Sequence, residues 1–377
     1  MSILLVSLTL KKQKTLLIFI PSIEEGGVEK NLFNITNFLV NKIKHIRIIT
    51  ANSNKKNKFN KKINIICPKS DWNKSNRLIK TIISIVLLLK ILIQNKNESV
   101  IFSFQSNLIA IILAKIFNSF VVIRSNAAPQ GYSKNIIKKK IFSLILRFAD
   151  QIIVNSKDFK IQLKNEFNIS SICIYNPLEN TNKIIKLSKK KIYLPFFETE
   201  DLKIISAGRL VKQKNHITIL KAINLISKKI KIKLILLGKG DQKESLRKYI
   251  RQNKMEKIVK IIDFKKNPYP YIYKSDVFIL SSLYEGLPNV LLEALSLKKY
   301  LLSSNCPTGP KEILNNQKYG KLFKVGDHVN LSKKILYCIK NKKEIRNHRY
   351  KNFDLTKYDF TKNCNSYFNT INKFLKK

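Results

Sequence analysis

Apolar positions along this 377-residue chain alternate between two rhythms. Short β-branched runs at Leu16–Ile20, Ile46–Thr50, Val100–Phe104, Val121–Arg124 and Ile152–Asn155 are nearly continuous in apolar character, as parallel strands covered on both faces must be. Between them, Val28–Val40, Arg77–Ile93, Asn107–Phe117 and Ile136–Phe148 have helix length and spacing. This alternation predicts a doubly wound parallel α/β sheet. After a strand-like Ile172–Tyr175 the rhythm breaks at Pro177, and Lys-rich turns, Pro195 and a local acidic cluster run to Asp201. It resumes with strands Lys203–Ala207, Lys233–Leu237, Val259–Asp263, Val277–Ser281 and Tyr300–Ser303, separated by helices that include Ile217–Ile226, Gln242–Asn253 and Asn289–Leu297. The expected organisation is one α/β domain over 1–180, a linker over 181–201 and a second α/β domain over 202–355. A final helix, about Asn363–Phe374 within 356–377, is expected to cross back to the first domain.

Three apolar stretches bear on membranes. Met1–Leu10 lacks a charged start and a small-residue cleavage site and is read as a short extension rather than a secretory signal. Thr81–Leu89 lies between Lys80 and Lys90, too short for a bilayer span, and reads as a buried helix. Lys138–Phe148 admits two readings: a helix facing the core, or an amphipathic helix lying on anionic lipid with Lys138–Lys140 beside Ile141, Leu144, Ile145 and Phe148.

Composition changes the picture in one respect. The chain holds 72 Lys+Arg against 24 Asp+Glu, a formal charge of +48, while 44% hydrophobic residues exclude a disordered polycation. The excess is spread evenly, with 32 basic and 9 acidic residues in 1–190 against 40 and 15 in 191–377. A nucleic-acid arm would be a block, so no specific nucleic-acid partner is expected, and Lys enrichment alongside Asn and Ile fits base-composition bias. Five scattered cysteines (Cys67, Cys173, Cys306, Cys338, Cys364) and four unclustered histidines show no metal-ligand spacing and suit reduced thiols in a cytoplasmic protein.

Candidate chemistry sits in strand-to-helix loops, where paired α/β domains bind ligands. Gly26-Gly27-Val28-Glu29-Lys30 follows the first strand and opens a helix, which suits close approach of an anion. Gly208-Arg209, with Lys214 five residues on, follows another strand; a guanidinium fork and a mobile ammonium match the oxygens of a diphosphate. His216 beside them reads as a loop or capping residue. Ser281-Ser-Leu-Tyr-Glu285-Gly286-Leu287-Pro288-Asn289-Val290-Leu291-Leu292-Glu293 joins a strand end, a tight Gly turn and a helix for which Pro288 suits the first position. The amides of Asn289, Val290 and Leu291 would face an anion there. Glu285 in the loop could meet a sugar while Glu293 accepts hydroxyl hydrogen bonds from a ribose.

Glu285 and Glu293 at this spacing, Gly208-Arg209 with Lys214 upstream and Gly26-Gly27 near the start resemble the GT-B-fold retaining glycosyltransferases, family 4 or group 1. Leu236-Leu237-Gly238-Lys239-Gly240, Phe264-Lys265-Lys266-Asn267-Pro268-Tyr269-Pro270-Tyr271, Lys274-Ser275-Asp276-Val277-Phe278 and Cys306-Pro307-Thr308-Gly309-Pro310-Lys311-Glu312 agree with it. The resemblance implies two Rossmann-like domains facing a central cleft, and a hexose-type sugar moved from a nucleotide-diphosphate sugar, UDP-linked, to a glycan or lipid-linked acceptor in cell-surface polysaccharide or lipopolysaccharide synthesis. It implies that Arg209 and Lys214 stabilise the departing diphosphate with Gly208 and the amides near Asn289–Leu291, that Glu293 holds the ribose and that backbone around Phe264 lines the base. Glu285 with Gly286, Leu287 and Pro288 would contact the donor sugar, and Gly26-Gly27 would close over the diphosphate from the acceptor domain. No cofactor is implied beyond the nucleotide-sugar co-substrate, and no metal. The implied location is the cytoplasm, peripheral to the inner membrane face.

The chain departs from the family pattern at Lys298-Lys299-Tyr300, where a Gly-x-Pro turn is usual, at Asn305, where an acid is common, and at Asp263, where Gly is usual. An acceptor-site His has no counterpart; Arg124-Ser125-Asn126 after a strand is the nearest polar constellation. Two other readings remain: a GT-B scaffold with weak turnover, and a polyanion-binding protein.

Overall fold

The computed structural model describes residues 14–377 apart from 25, 71, 96–97, 127–134, 227–230 and 348–352, so the apolar stretch 1–10 and His348 lie outside the described residues. The first domain runs β1 (Thr15–Phe19), α1 (Gly27–Leu39), β2 (Ile46–Ile49), β3 (Asn64–Ile66), α2 (Arg77–Gln94), β4 (Ser99–Ser103), α3 (Asn107–Ile116), β5 (Phe120–Arg124), α4 (Ile136–Leu146), β6 (Gln151–Val154), α5 (Lys157–Phe167) and β7 (Ile172–Cys173). These strands pair in parallel in the order β3-β2-β1-β4-β5-β6-β7. Helix α6 (Thr181–Ser188) lies in the connection.

The second domain runs β8 (Leu202–Ala207), α7 (His216–Ile226), β9 (Ile232–Leu237), α8 (Lys243–Gln252), β10 (Val259–Ile262), α9 (Tyr269–Tyr273), β11 (Val277–Leu280), α10 (Asn289–Ser296), β12 (Tyr300–Ser304), α11 (Pro310–Ile313), β13 (Gly320–Phe323), α12 (His328–Lys340) and α13 (Lys342–Asn347). Its parallel sheet has the order β10-β9-β8-β11-β12-β13. Helix α14 (Phe360–Leu375) returns and buries Cys364, Tyr367, Ile371 and Leu375 in the first domain's core with α1 and β4. The two crossings meet where the Leu178 amide donates to the Tyr358 carbonyl at 2.9 Å.

Each sheet is covered on both faces, which is why Leu16 to Phe19 of β1 and Val277 to Leu280 of β11 are apolar and buried without alternation. Strands β3 and β13 went unread in the sequence because they are short edges; β3 has one exposed and two half-buried residues, so no continuous apolar run marks it.

Two expectations need correction. The stretch Thr81–Leu89 is not a buried helix: α2 buries Lys80, Ser84 and Leu88 but leaves Ile82 and Val86 exposed. Nor does α4 face the core, since Leu146 is its one buried residue while Ile136, Ile137, Ile141 and Leu144 are exposed. Among the described residues no helix is long and apolar enough to cross a membrane.

In each sheet the chain reverses its direction of winding at one place, between β1 and β4 in the first and between β8 and β11 in the second. Loops leaving the carboxyl ends of strands on either side of such a point diverge and open a crevice. Gly26-Gly27 follows β1, Arg209 follows β8 and Glu285 follows β11. The motifs therefore stand at the two crevices.

Candidate active site

Strand β8 ends at Ala207, and its continuation is steered by Leu210, fully buried, whose amide donates to the Lys239 carbonyl at 2.8 Å. Anchoring Leu210 turns Arg209 outward; it is exposed, and its guanidinium has no hydrogen bond or ion pair among the described residues. A short 3-10 turn, Lys212–Lys214, then brings Lys214 back inward. The Ser281 hydroxyl donates to the Lys214 carbonyl at 2.8 Å, and the Leu283 amide to the Gln213 carbonyl at 2.8 Å, so the loop after β8 is stitched to the loop after β11. Lys214 Nζ reaches Glu285 Oε1 at 2.5 Å, with the two side chains only 14% and 9% exposed. Ser282 Oγ donates to the same Oε1 at 2.5 Å, and Oε2 has no partner among the described residues. A charged pair so desolvated holds only with such extra hydrogen bonds.

The Glu285 loop is fixed from both ends. Its amide donates to the Pro307 carbonyl at 2.6 Å, and the Thr308 hydroxyl donates to the Gly286 carbonyl at 2.9 Å. Gly286 is a close-approach glycine: a Cβ there would lie 2.5 Å from the Asn126 carbonyl oxygen and 2.7 Å from Asn155 Nδ2, both in the first domain. Pro288 caps α10 in extended conformation. The Leu291 amide is spent on the Pro288 carbonyl at 3.0 Å, which leaves the Asn289 and Val290 amides as the open donors of that terminus. Leu287 and Leu291 side chains are buried in the second domain's core, so only their backbone faces the cleft side of the loop.

Across the gap stands the N-terminus of α1. Asn289 Nδ2 donates to the Gly27 carbonyl at 3.3 Å, so the two helix N-termini converge. Behind Gly26, Glu29 is buried and burial raises its carboxyl above the ordinary range, with Arg209 close enough to pull it back down. Glu293, one turn into α10, is also buried, and Lys30 Nζ donates to its Oε1 at 2.7 Å. Lys30 also donates to Tyr269 Oη at 2.6 Å and pairs with Glu179 at 3.2 Å. Burial works against the Lys30 charge, yet Glu293 and then Tyr269 hold its ammonium above the usual lysine range. One of the two oxygens that the sequence assigns to a ribose is thus held by a cation of the other domain.

Further ties cross the cleft. Asn176 Nδ2 donates to the Leu287 carbonyl at 3.0 Å and to Asn289 Oδ1 at 2.6 Å. Asn176 Oδ1 in turn accepts from Arg124 Nη2 at 2.5 Å, while Arg124 Nε donates to Tyr367 Oη at 3.0 Å. Arg124 is wholly buried without a carboxylate partner among the described residues, so the polar constellation at 124–126 braces α14, through Asn176, to the loop of Leu287 and Asn289. Glu312 accepts from the Lys157 amide at 3.0 Å and from the Tyr175 hydroxyl, tying α11 to the start of α5 and to Tyr175. Phe264 stands at the rim, 38% exposed, with Lys239 Nζ 5.0 Å over its ring.

The residues that sequence reasoning did not place at the site are Lys30, Tyr269, Ser282, Asn155 and Asn176. Lys30 had a signal, since it closes the Gly26–Lys30 stretch at the first turn of a helix, and Tyr269 and Ser282 stand inside the stretches Phe264–Tyr271 and Ser281–Glu293; Asn155 and Asn176 had none. His216 is buried beneath the loop, with Nδ1 unpartnered. Burial, reinforced by the Lys214 charge, lowers its pKa to about 3. Its unfolded value is 6.5, so as pH falls from 6.5 towards 3 the unfolded chain takes up a proton that the folded chain refuses. We expect this group to remove up to about 1.4 kcal/mol of stability per pH unit over that window. Denaturant titrations of His216→Gln across it should show a shallower slope; an unchanged slope would assign the acid sensitivity elsewhere.

Comparisons with known proteins agree with this geometry. The sequence profile of the family described as "Glycosyl transferases group 1" matches residues 192–354. An uncharacterised glycosyltransferase of Methanocaldococcus jannaschii is 31% identical over 54% of this chain and 53% of its own length. The N-acetylgalactosamine-N,N'-diacetylbacillosaminyl-diphospho-undecaprenol 4-alpha-N-acetylgalactosaminyltransferase of Campylobacter jejuni is 31% identical over 60% of this chain and 62% of its own. These matches thus span between half and two thirds of the relatives. Among solved structures, Anabaena HepE in complex with UDP and glucose superposes with a TM-score of 0.75 at 15% identity, covering 95% of this chain and 99% of that one. Sucrose-phosphate synthase of Thermosynechococcus elongatus gives 0.78 at 14% identity, covering 96% and 99%. At such identities these likenesses concern the fold. Residues 192–354 thus carry the group 1 glycosyl transferase profile, and the chain shares the two-sheet GT-B fold of these structures over nearly its whole length.

Proposed function

We propose that the protein transfers a hexose-type sugar, with retention of configuration, from a UDP-linked donor to a glycan or lipid-linked acceptor in the synthesis of cell-surface polysaccharide or lipopolysaccharide. The observation that carries this reading is that Lys214, paired with Glu285, and the open amides of α10 lie in loops of the second domain beside the gap that α1 closes from the other side, with Arg209 near enough to Glu29 of α1 to pull down the carboxyl that burial raises. Such a set suits a diphosphate whose charge grows as it departs. The bond between the anomeric carbon and the phosphate oxygen breaks, the acceptor oxygen forms the new bond on the same face, and the acceptor proton passes to the leaving phosphate. Arg209 and Lys214 would supply the positive charge for this step, so the reading needs no metal. Glu285, held by Lys214 and Ser282, would orient the donor sugar, and Glu293 would take the ribose hydroxyls when Lys30 yields. Closure of the domains would keep water from the donor.

Support for the donor comes from HepE, whose structures contain UDP with glucose and UDP-glucose. Support for a lipid-linked acceptor comes from the Campylobacter enzyme, named for a diphospho-undecaprenol substrate. Thermal unfolding against a panel of nucleotide sugars tests the reading, because a ligand at 100 times its Kd adds about 2.7 kcal/mol to the folded state. We expect UDP and a UDP-sugar to raise the midpoint and Arg209→Ala to weaken binding by about 10–100-fold. No response to UDP- or GDP-sugars would sink the proposal. Binding without transfer would favour a weakly active scaffold, and sequence-selective DNA binding at physiological salt would favour a polyanion-binding protein.

A further inference from the structure

Helices α2, α3 and α4 cover one face of the first sheet, and their outer surface has the polarity expected of an interior. On α2 the outward stripe is Leu78, Ile82, Val86 and Ile93, with Leu78 75% exposed, while Lys80 (7%) and Ser84 (0%) point inward. On α3 Ile112 and Ile116 are exposed, and on α4 Ile137, Ile141 and Leu144 continue to exposed Phe148. An apolar surface on this scale needs a partner.

Charge says which. The three helices contain no aspartate or glutamate. They carry Arg77, Lys90, Lys138 and Lys140, none with an ion-pair partner among the described residues. Lys115 and Lys139 are already paired, with Asp150 and Glu166. A second copy of the chain docked face to face would set these cations against their own kind. A surface at once apolar and anionic satisfies both features, and the α2 stripe, some 22 Å long at 1.5 Å per residue, is extended rather than grooved. We infer that the α2–α3–α4 face docks the protein on an anionic lipid bilayer.

The topology gives this docking a direction. Each of these helices runs back against its parallel strands, so its first turn lies at the carboxyl edge of the sheet, on the cleft side. Leu78 on α2 and Ile136 and Ile137 on α4 are therefore the apolar residues nearest the acceptor side of the cleft. A lipid-linked acceptor could enter from the bilayer without leaving it; this use rests on the function proposed above, whereas the docking surface does not.

The chain's single tryptophan, Trp72, lies just before α2 and is 37% exposed, which makes it a reporter of the interface. The test mixes the full chain with vesicles of phosphatidylcholine alone and of equal parts phosphatidylcholine and phosphatidylglycerol. We expect sedimentation with the mixed vesicles, a blue shift of Trp72 fluorescence there, and little of either with phosphatidylcholine. Reversing Lys90, Lys138 and Lys140 to Glu should reduce partitioning by roughly 100-fold, and Ile82→Asn with Ile141→Asn should abolish the blue shift. Melting temperature and UDP binding of the variants should match the parent. Failure of the parent to bind mixed vesicles, variants that bind as well as it, or a dimer in solution that the Asn substitutions dissolve would each overturn the inference. Vesicle binding with no UDP binding would leave the surface standing and remove the proposed function.

Discussion

Lys214→Ala should lower the rate of sugar transfer by roughly 10²–10³-fold, the loss usual when one preorganised group on a departing oxyanion is removed. It should also destabilise the fold by about 3–5 kcal/mol, because Glu285 would stay buried as an uncompensated charge. The two losses are separable. In Lys214→Met with Glu285→Gln no unpaired charge is left, Ser282 can still donate to the amide oxygen, and stability should return most of the way to the parent. Activity should not return, since neither the cation nor the carboxylate is restored. Thermal unfolding and steady-state transfer of the single and double variants give both quantities. A single variant that keeps turnover within about tenfold would place the leaving group away from this lysine.

Gly286→Ala should act as a wedge. The added methyl would lie 2.5 Å from the Asn126 carbonyl oxygen and 2.7 Å from Asn155 Nδ2. A backbone carbonyl cannot swing aside, and the obstacles belong to the other domain, so the domains themselves must part. Parting stretches the bonds that register the cleft, among them Asn289 to Gly27, Lys30 to Glu293 and Asn176 to Leu287. Reacting groups displaced by an ångström lose about 10²-fold in rate. Nucleotide binding should survive, since Arg209, Lys214 and the amides of α10 share the second domain with the substitution. We therefore expect kcat to collapse while the dissociation constant for UDP moves little, and small-angle scattering of the UDP complex to show a larger radius of gyration than the parent. Full activity in Gly286→Ala would mean that the reacting state does not require the domains to close as described.

Much of this was legible in the chain. Central strands announced themselves because both faces of each sheet are covered, as Leu16–Phe19 and Val277–Leu280 show. The candidate site of the second domain was legible because its residues are compressed into single strand-turn-helix units: Gly208-Arg209 and Lys214, then Glu285 to Glu293. Helices α2 and α4 misled for the opposite reason. Periodicity reports that a helix has an apolar side, but not whether that side is turned to the core or outward, and on α2 it is Lys80 and Ser84 that turn inward. The +48 charge was a poor guide, since most of it is solvated; the position of a few cations mattered more.

What spans the cleft had no linear trace. Lys30 and Glu293 are 263 residues apart, Arg124 and Tyr367 are 243 apart, and Asn176 and Asn289 are 113 apart. No spacing rule relates such pairs, because their meeting depends on the register of two sheets and on how the crossings at 178 and 358 set one domain against the other. Residues within one turn of the chain are bound by its own geometry, so their order on the page settled the fold class and the candidate chemistry of the second domain. Packing between domains is decided by summed contacts over the whole surface, and only in the folded molecule do Lys30, Asn155 and Asn176 become neighbours of the loop that the glutamates mark.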